Sequence, residues 1–97
     1  MALKNRWTPP SRGNYFKITQ FILDNWTSKE LQKFVDKTAK TLSQIAKGPE
    51  LFPVSKKGNI RKCILSKQTI LFYRIKKNEV DLVTFRDNRK NPKTLKL

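Results

Sequence analysis

The chain has 97 residues, 37% of them hydrophobic, and therefore room for a single domain over residues 1–97 with one modest core. Twenty-two lysines and arginines against seven acidic residues give a net charge of +15, above the roughly 2–8 units that suit a small soluble domain. With no histidine, one cysteine and three separated glycines, the composition excludes histidine-based catalysis, a metal-ligand cluster and a glycine-rich phosphate loop. We therefore expect no metal and no cofactor.

The excess of positive charge indicates an acidic partner: a nucleic acid, an anionic membrane or an acidic protein. No apolar run approaches the ~20 residues of a membrane span, and residues 1–7 are too short and too polar for a signal peptide. Cys63 has no partner for an internal disulfide, which favours a reducing compartment, and we expect its thiol to be buried. These features predict a cytoplasmic protein without membrane contact.

The first half of the chain predicts a short strand followed by two helices. Residues 2–7 alternate weakly, Pro9 and Pro10 end that strand, and Thr8 or Ser11 can cap the next helix. Apolar spacings of three and four predict a helix over residues 11–26, with one face formed by Tyr15, Ile18, Ile22 and Trp26.

The second helix begins at a predicted capping box formed by Thr27 and Glu30 and ends at Gly48, where glycine permits a left-handed closing residue. Its apolar face consists of Leu31, Phe34, Val35, Thr38, Leu42 and Ile45. Five lysines lie largely elsewhere on it: Lys29, Lys33, Lys37, Lys40 and Lys47. The short break between the helices predicts an antiparallel hairpin.

The second half predicts a loop over residues 50–59 and then strands at 60–65, 69–75 and 80–85. Short polar breaks between these strands favour an antiparallel meander. Residues 86–97 are predicted to be a loop or tail, with the polar tail from about residue 90. The predicted fold class is α+β, in the order β-α-α-β-β-β, with the helical hairpin on one face of a three- to four-stranded antiparallel sheet and the other face open.

Basic residues near the strands are the candidate site, because guanidinium and ammonium groups bind phosphate and can stabilise charge that develops on it. The candidates for binding a target or nucleic acid are Arg61, Lys62, Arg74, Arg86, Arg89 and Lys90. Alternation places Arg61 on the strand face of Cys63, and Lys62 on the opposite face. Two interpretations are open for four aromatic residues, packing in the core and stacking on bases, and packing in the core is favoured. These residues are Trp7, Trp26, Phe72 and Tyr73.

The order and spacing of these segments resemble the RelE/ParE superfamily of toxins over nearly the whole chain. In the second half the matching segments are residues 60–62 (IRK), 70–75 (ILFYRI), 80–85 (VDLVTF) and 87–92 (DNRKNP). In the first half they are residues 7–9 (WTP), 22–26 (ILDNW) and 48–53 (GPELFP).

The resemblance implies the toxin of a bacterial type II toxin–antitoxin system, with growth inhibition and plasmid stabilisation as its expected effects. A cognate antitoxin, acidic and partly disordered, would lay a helix or extended segment over the toxin and form a hetero-oligomer with it. On the helical hairpin, the candidate antitoxin-binding residues are Phe21, Ile22, Phe34 and Leu42.

The family divides by target: the RelE branch cuts messenger RNA in the ribosome, and the ParE branch blocks DNA gyrase. A RelE-like chain would be a metal-independent endoribonuclease whose candidate catalytic residues here are Arg61, Lys62, Arg74 and Arg89. Ile70 stands near the family's second-strand arginine, and no tyrosine follows Phe85. Both departures favour the ParE-like reading slightly. A second alternative is a basic nucleic-acid-binding module without toxicity, and whether the chain is an enzyme stays open.

Overall fold

Six elements follow one another in the order predicted from the sequence. The computed structural model describes residues 3–54 and 59–88. Its elements are β1 (Lys4–Trp7), α1 (Pro9–Asn25), α2 (Ser28–Lys47), β2 (Ile60–Ile64), β3 (Thr69–Lys76) and β4 (Glu79–Asp87). The α+β class is confirmed, and the predicted C-terminal tail lies outside the described residues. No helix in the described part of the chain is both long and apolar enough to span a bilayer.

Helix α1 begins two residues earlier than the sequence predicted, because both prolines belong to its first turn. Proline suits that position, where its fixed φ is helical and its missing N–H has no partner to lose. Thr8 is the cap: its hydroxyl accepts from the Ser11 N–H at 3.3 Å, and the Ser11 hydroxyl accepts from the Thr8 N–H at 3.0 Å. The Thr8 hydroxyl also donates to the Leu82 carbonyl at 2.7 Å, which anchors the start of α1 on β4.

Helix α2 has the predicted bounds, but its two ends differ in detail from the prediction. The Thr27 hydroxyl accepts from the Glu30 N–H at 3.1 Å, so Thr27 is the cap. Among the described residues no return hydrogen bond joins the Glu30 side chain to the Thr27 N–H, so the predicted capping box is only half formed. Gly48 ends the helix by donating its N–H to the Gln44 carbonyl at 2.9 Å. Its φ is −143°, so it does not adopt the predicted left-handed conformation.

The four-stranded sheet has the order β1-β4-β3-β2. Strands β2, β3 and β4 form the predicted antiparallel meander, whereas β1 pairs with β4 in parallel. The sheet is therefore mixed, and the prediction of a wholly antiparallel sheet is wrong for β1. A parallel neighbour requires a long crossover, and here α1, α2, β2 and β3 lie between the two paired segments.

Strand β4 is longer than predicted and contains one irregularity. Phe72 pairs with Thr84 and Tyr73 pairs with Leu82, so Val83 has no partner of its own on β3. Such a bulge lets β4 continue pairing to Asp87. Arg86 is consequently part of the strand, whereas the sequence placed it in the loop after the strand.

The two helices cover one face of the sheet and bury a single core. Its fully or nearly buried members are Ile18, Ile22, Phe34, Ile45, Cys63, Leu65, Leu71, Tyr73, Val80, Leu82 and Phe85. Trp7 stacks on Phe85 with ring centroids 5.6 Å apart, and Tyr15 contacts both rings at 5.2 Å. Cys63 is buried as predicted, and burial raises the pKa of its thiol to about 11, so it stays protonated at neutral pH.

Two neighbouring residues on α1 test this packing. Ile22 is completely buried, whereas Leu23 is 48% exposed. We expect Ile22→Ala to lower the free energy of unfolding by about 2–5 kcal/mol, because it leaves a cavity in the core. Leu23→Ala removes a half-exposed side chain of the same size and should cost about 1 kcal/mol or less. Urea titration of both variants checks this, and equal losses would contradict the burial described above.

Candidate functional site

The sheet face away from the helices carries most of the charged side chains of the strands. Side chains alternate along a strand, so the residues that alternate with the buried Leu71, Tyr73, Val80 and Leu82 point to the opposite side of the sheet. We call this side the open face. In the described residues its members are Lys4, Arg6, Ile60, Lys62, Ile64, Ile70, Phe72, Arg74, Lys76, Glu79, Asp81 and Arg86. Six are basic and two are acidic.

A partly apolar patch occupies the half of the open face away from the β3–β4 turn. Phe72 on β3 stands opposite Lys62 on β2, and Ile70 stands between Ile64 and Arg86. Ile64 is 65% exposed, an unusual degree for an apolar strand residue. An aromatic ring among cations is an arrangement that stacks a base or an apolar side chain while the cations bind phosphate or carboxylate.

The other half of the open face is organised around a buried carboxylate. The side chain of Asp81 is completely buried beneath two arginines that are 50% and 42% exposed. Arg6 on β1 binds it through two nitrogens, with Nε to Oδ1 at 2.9 Å and Nη2 to Oδ2 at 3.4 Å. Arg74 on β3 places Nη2 3.9 Å from Oδ2. Glu79 adds a longer contact to Arg6 at 3.8 Å.

The ionisation of Asp81 follows from these contacts. The hydrogen bond from Arg6 is the main cause that holds the pKa of Asp81 below its ordinary value, and it outweighs the burial that opposes it. The same hydrogen bond raises the pKa of Arg6. Asp81 is thus a fixed negative charge that is hydrogen-bonded to the Arg6 guanidinium and lies within ion-pair distance of the Arg74 guanidinium.

Arg74 keeps donors for a further ligand. Its Nε is buried and makes no hydrogen bond within the described part of the chain, although the Nη2 of the same group faces Asp81. A buried unpaired donor costs free energy unless something binds it. The guanidinium lies within ion-pair distance of Asp81, and the exposed part of its side chain can bind an anion on the open face.

The predicted site residues separate into three groups. Lys62, Arg74 and Arg86 meet on the open face as neighbours of Phe72. Arg61 does not join them, because it lies on the helix side of β2, where its Nη1 donates to the Phe52 carbonyl at 2.7 Å and holds the preceding loop. Arg89 and Lys90 lie outside the described residues, and their role stays a prediction.

The two tyrosines of the chain are both engaged away from the open face. The Tyr73 hydroxyl donates to the Pro49 carbonyl at 2.6 Å, and Tyr15 packs between Trp7 and Phe34. Burial raises the pKa of both hydroxyls. Over residues 3–54 and 59–88, no group of three or more potential metal-ligating side chains comes together.

Sequence reasoning missed Arg6 and Asp81. Arg6 belongs to the weakest predicted strand, and only the parallel register places it opposite Asp81 across 75 residues of sequence. The detectable sign was a lone aspartate inside an otherwise apolar strand, which requires a cationic partner when buried. That sign does not say which of 22 basic residues supplies the partner.

On the helix side, the exposed apolar residues differ from those predicted to bind an antitoxin. Ile22 and Phe34 are core residues, and Phe21 and Leu42 are half-buried. The outer side of α1 instead exposes Phe16 (62%) and Leu23 (48%), and Trp26 follows at its end (47%). Beside them lies a largely apolar groove of about 470 Å³, lined by Trp7, Arg12, Tyr15, Phe16 and Thr19.

Comparisons with known proteins show the fold. No protein-family model and no curated protein matches the chain. A chain of the chromosomal ParDE TA system from P. aeruginosa is similar with a TM-score of 0.74 and 12% identity, over 89% of this chain and 96% of that one. The YoeB dimer from Staphylococcus aureus is similar with a TM-score of 0.61 and 15% identity, over 89% of this chain and 97% of that one. A copper-bound mutant toxin from Helicobacter pylori is similar with a TM-score of 0.57 and 16% identity, over 92% of this chain and 98% of that one.

These likenesses confirm the fold that the sequence resemblance led us to expect. They extend over nearly the whole length of each compared chain. At 12–16% identity they establish the fold alone.

The buried carboxylate predicts a specific dependence of stability on pH. A carboxyl whose pKa is lower in the folded chain stabilises the fold above its unfolded pKa of about 3.9, and this contribution is lost as the pH falls through the lowered pKa. Asp81→Asn should therefore lower Tm at neutral pH and flatten the fall of Tm below about pH 4. Thermal melts from neutral to acid pH check this. The exposed Asp24→Asn is the matched control, and identical curves for both variants would contradict the arrangement.

Proposed function

We propose that the chain is the toxin of a type II toxin–antitoxin module, which arrests growth by blocking a nucleic-acid machine and is neutralised by an antitoxin. The observation that carries this proposal is the open face, where Phe72 lies among Lys62, Arg74 and Arg86. Because Asp81 hydrogen-bonds Arg6 and forms a longer ion pair with Arg74, these two arginines are partly preorganised for binding an anion. Fold likeness to chains of the ParDE system and of the YoeB dimer supports the class.

As the target we favour DNA gyrase, blocked without bond cleavage. Catalysis of RNA cleavage requires a group that moves a proton at the reacting oxygen. The chain has no histidine, and both tyrosine hydroxyls are held on the helix side of the sheet. The open face supports binding by charge and stacking more strongly than it supports acid–base chemistry.

The alternative target is messenger RNA in the ribosome, cut without a metal. Lys62 and Arg74 share one face, which favours a site that stabilises charge on a phosphate. Arg61 faces the other side, and Arg89 would have to complete such a site. A third possibility is a nucleic-acid-binding module without toxicity, for which expression alone would be harmless.

The antitoxin that we propose is acidic and partly disordered, and it forms a hetero-oligomer with the chain. Phe16, Leu23 and Trp26 expose apolar surface along α1 next to the groove that Arg12 borders. An amphipathic segment with acidic flanks would fit this surface, because it would cover apolar side chains inside a cationic surrounding. We place the antitoxin there in preference to Ile22 and Phe34, which are buried.

The target-binding surface is tested by removing two exposed cations beside Phe72. Induction of the chain should arrest growth, and Lys62→Gln with Arg86→Gln should abolish the arrest. Two charge-assisted contacts of about 1.5 kcal/mol each amount to roughly 100-fold in affinity. Lys17→Gln with Lys67→Gln removes the same charge elsewhere and should leave the arrest intact. Loss of arrest in both pairs, with both still folded by circular dichroism, would contradict a localised surface.

The choice between the two targets rests on two direct measurements. Purified chain in excess should inhibit supercoiling by gyrase, and mapping of messenger 5′ ends after induction should show no new cuts. New cuts with unaltered gyrase would establish the ribonuclease alternative. Absence of any growth arrest would leave the third possibility.

The antitoxin surface is tested by Phe16→Ala with Leu23→Ala. The acidic partner, which we expect in the neighbouring reading frame, should bind this variant at least about tenfold more weakly, because truncation of two apolar anchors costs more than 1.4 kcal/mol. Growth arrest should persist and should no longer be relieved by the partner. Gln20→Ala on the same helix is the control. Unchanged partner affinity, measured by calorimetry, would place the antitoxin elsewhere.

A further inference from the structure

Helix α2 carries a second concentration of positive charge, on the side of the molecule opposite the open face. At 3.6 residues per turn, five lysines fall within a sector of about 80° and extend along about 27 Å of the helix. We call them the lysine ridge: Lys29, Lys33, Lys37, Lys40 and Lys47. All five are exposed, and the buried face of α2, with Phe34, Thr38 and Ile45, points away from them.

Nearby carboxylates offset the five ridge lysines only in part: Asp36 lies three residues after Lys33 and four before Lys40, and Glu30 lies three before Lys33. Asp36 stands at one margin, where it accepts a hydrogen bond from Gln32 at 2.9 Å. Glu30 stands at the other margin. Among residues 3–54 and 59–88, the ion pairs all involve Asp81 or Glu79 on the open face and none involves a ridge lysine. Lysines three and four positions apart repel one another, so this alignment works against the helix unless an anion binds it.

A hollow of about 380 Å³ adjoins the middle of the ridge. Lys33 and Lys37 form one side of it, and Ser66 and Gln68 of the loop between β2 and β3 form the other. Phe34 and Leu65 lie at its base. Glu30 also lines the hollow. The hollow thus combines two ammonium groups, a hydroxyl and an amide, which commonly bind phosphate oxygens, with a single carboxylate that the two ammonium groups outnumber.

We propose that the lysine ridge binds the phosphate backbone of a nucleic-acid double helix and is a polyanion-binding surface separate from the open face. The chemistry of the ridge favours this occupant. Its sector contains no aromatic ring for stacking on unpaired bases and no large apolar side chain for insertion into a membrane. Lysine is a flexible point charge, suited to regularly spaced phosphates and not to the bidentate reading of base edges.

The ridge extends the proposed function and does not depend on it. A straight row of about 27 Å matches roughly eight base pairs of a duplex at 3.4 Å per pair. Binding there leaves the open face, on the other side of the sheet, uncovered. The chain would then be held on duplex nucleic acid without sequence preference while the open face contacts its target.

Salt dependence of duplex binding tests the ridge on the full-length chain. The probe is a mixed-sequence DNA duplex of about 20 base pairs, titrated by fluorescence anisotropy between roughly 50 and 200 mM salt. Lys33→Gln with Lys37→Gln should weaken binding at least about tenfold and lower the slope of log K against log salt by about 1.8, or 0.9 for each lost contact. Glutamine has nearly the helix propensity of lysine, so α2 should stay intact, which a thermal melt verifies.

The control pair is Lys17→Gln with Lys77→Asn, which removes two charges away from the ridge; asparagine tolerates the left-handed φ of 53° at position 77. Lys33→Arg with Lys37→Arg keeps the ridge charge and should retain the slope.

Equal slopes for the ridge and control pairs would overturn the proposal in favour of net charge alone. A ridge effect seen only with poly-glutamate or with anionic vesicles, and not with the duplex, would also overturn it. Growth arrest is scored separately, so failure of the ridge leaves the proposed target surface unaffected.

Discussion

The structure depends on one carboxylate held under two guanidinium groups. Asp81 is buried on a face where basic residues outnumber acidic ones, and its burial is tolerable because Arg6 binds it through two nitrogens and Arg74 lies 3.9 Å from it. The three side chains come from three neighbouring strands, so the same contact joins β1 to the sheet and orients the arginines of the open face. A positioned pair of arginines loses less freedom on binding an anion than two mobile ones would.

The distribution of apolar residues explains why a small domain carries so much positive charge. One face of the sheet, together with the inner sides of both helices, buries the completely covered apolar side chains in a single core. The remaining surfaces are then the open face, the lysine ridge and the outer side of α1. Two are cationic and the third exposes Phe16, Leu23 and Trp26. Such a domain gains stability from any partner that binds only its folded form.

Local patterns predicted the elements well, and long-range pairing accounts for what they missed. Thr27 and Gly48 delimit α2 because caps are local chemistry, and alternation correctly separated Arg61 from Lys62. The start of α1 was misplaced because two prolines were read as a break, although proline belongs in a first turn.

The Arg6–Asp81 pair and the parallel β1 depend on a register between residues about 75 positions apart. No window of local sequence contains that register. The exposed apolar side of α1 was missed for a related reason, since burial is decided by tertiary packing.

The parallel pairing of β1 with β4 also constrains when the protein becomes complete during synthesis. Its partner residues, Glu79 to Leu82, are among the last of the described chain to be made, and the cap at Thr8 needs the Leu82 carbonyl as well. Contacts of such high sequence separation form late. A nascent chain therefore has its helices long before it has an edge strand, an anchored N-terminus or a formed cationic face. The cationic open face is therefore complete only once β4 has been synthesised and has paired with β1.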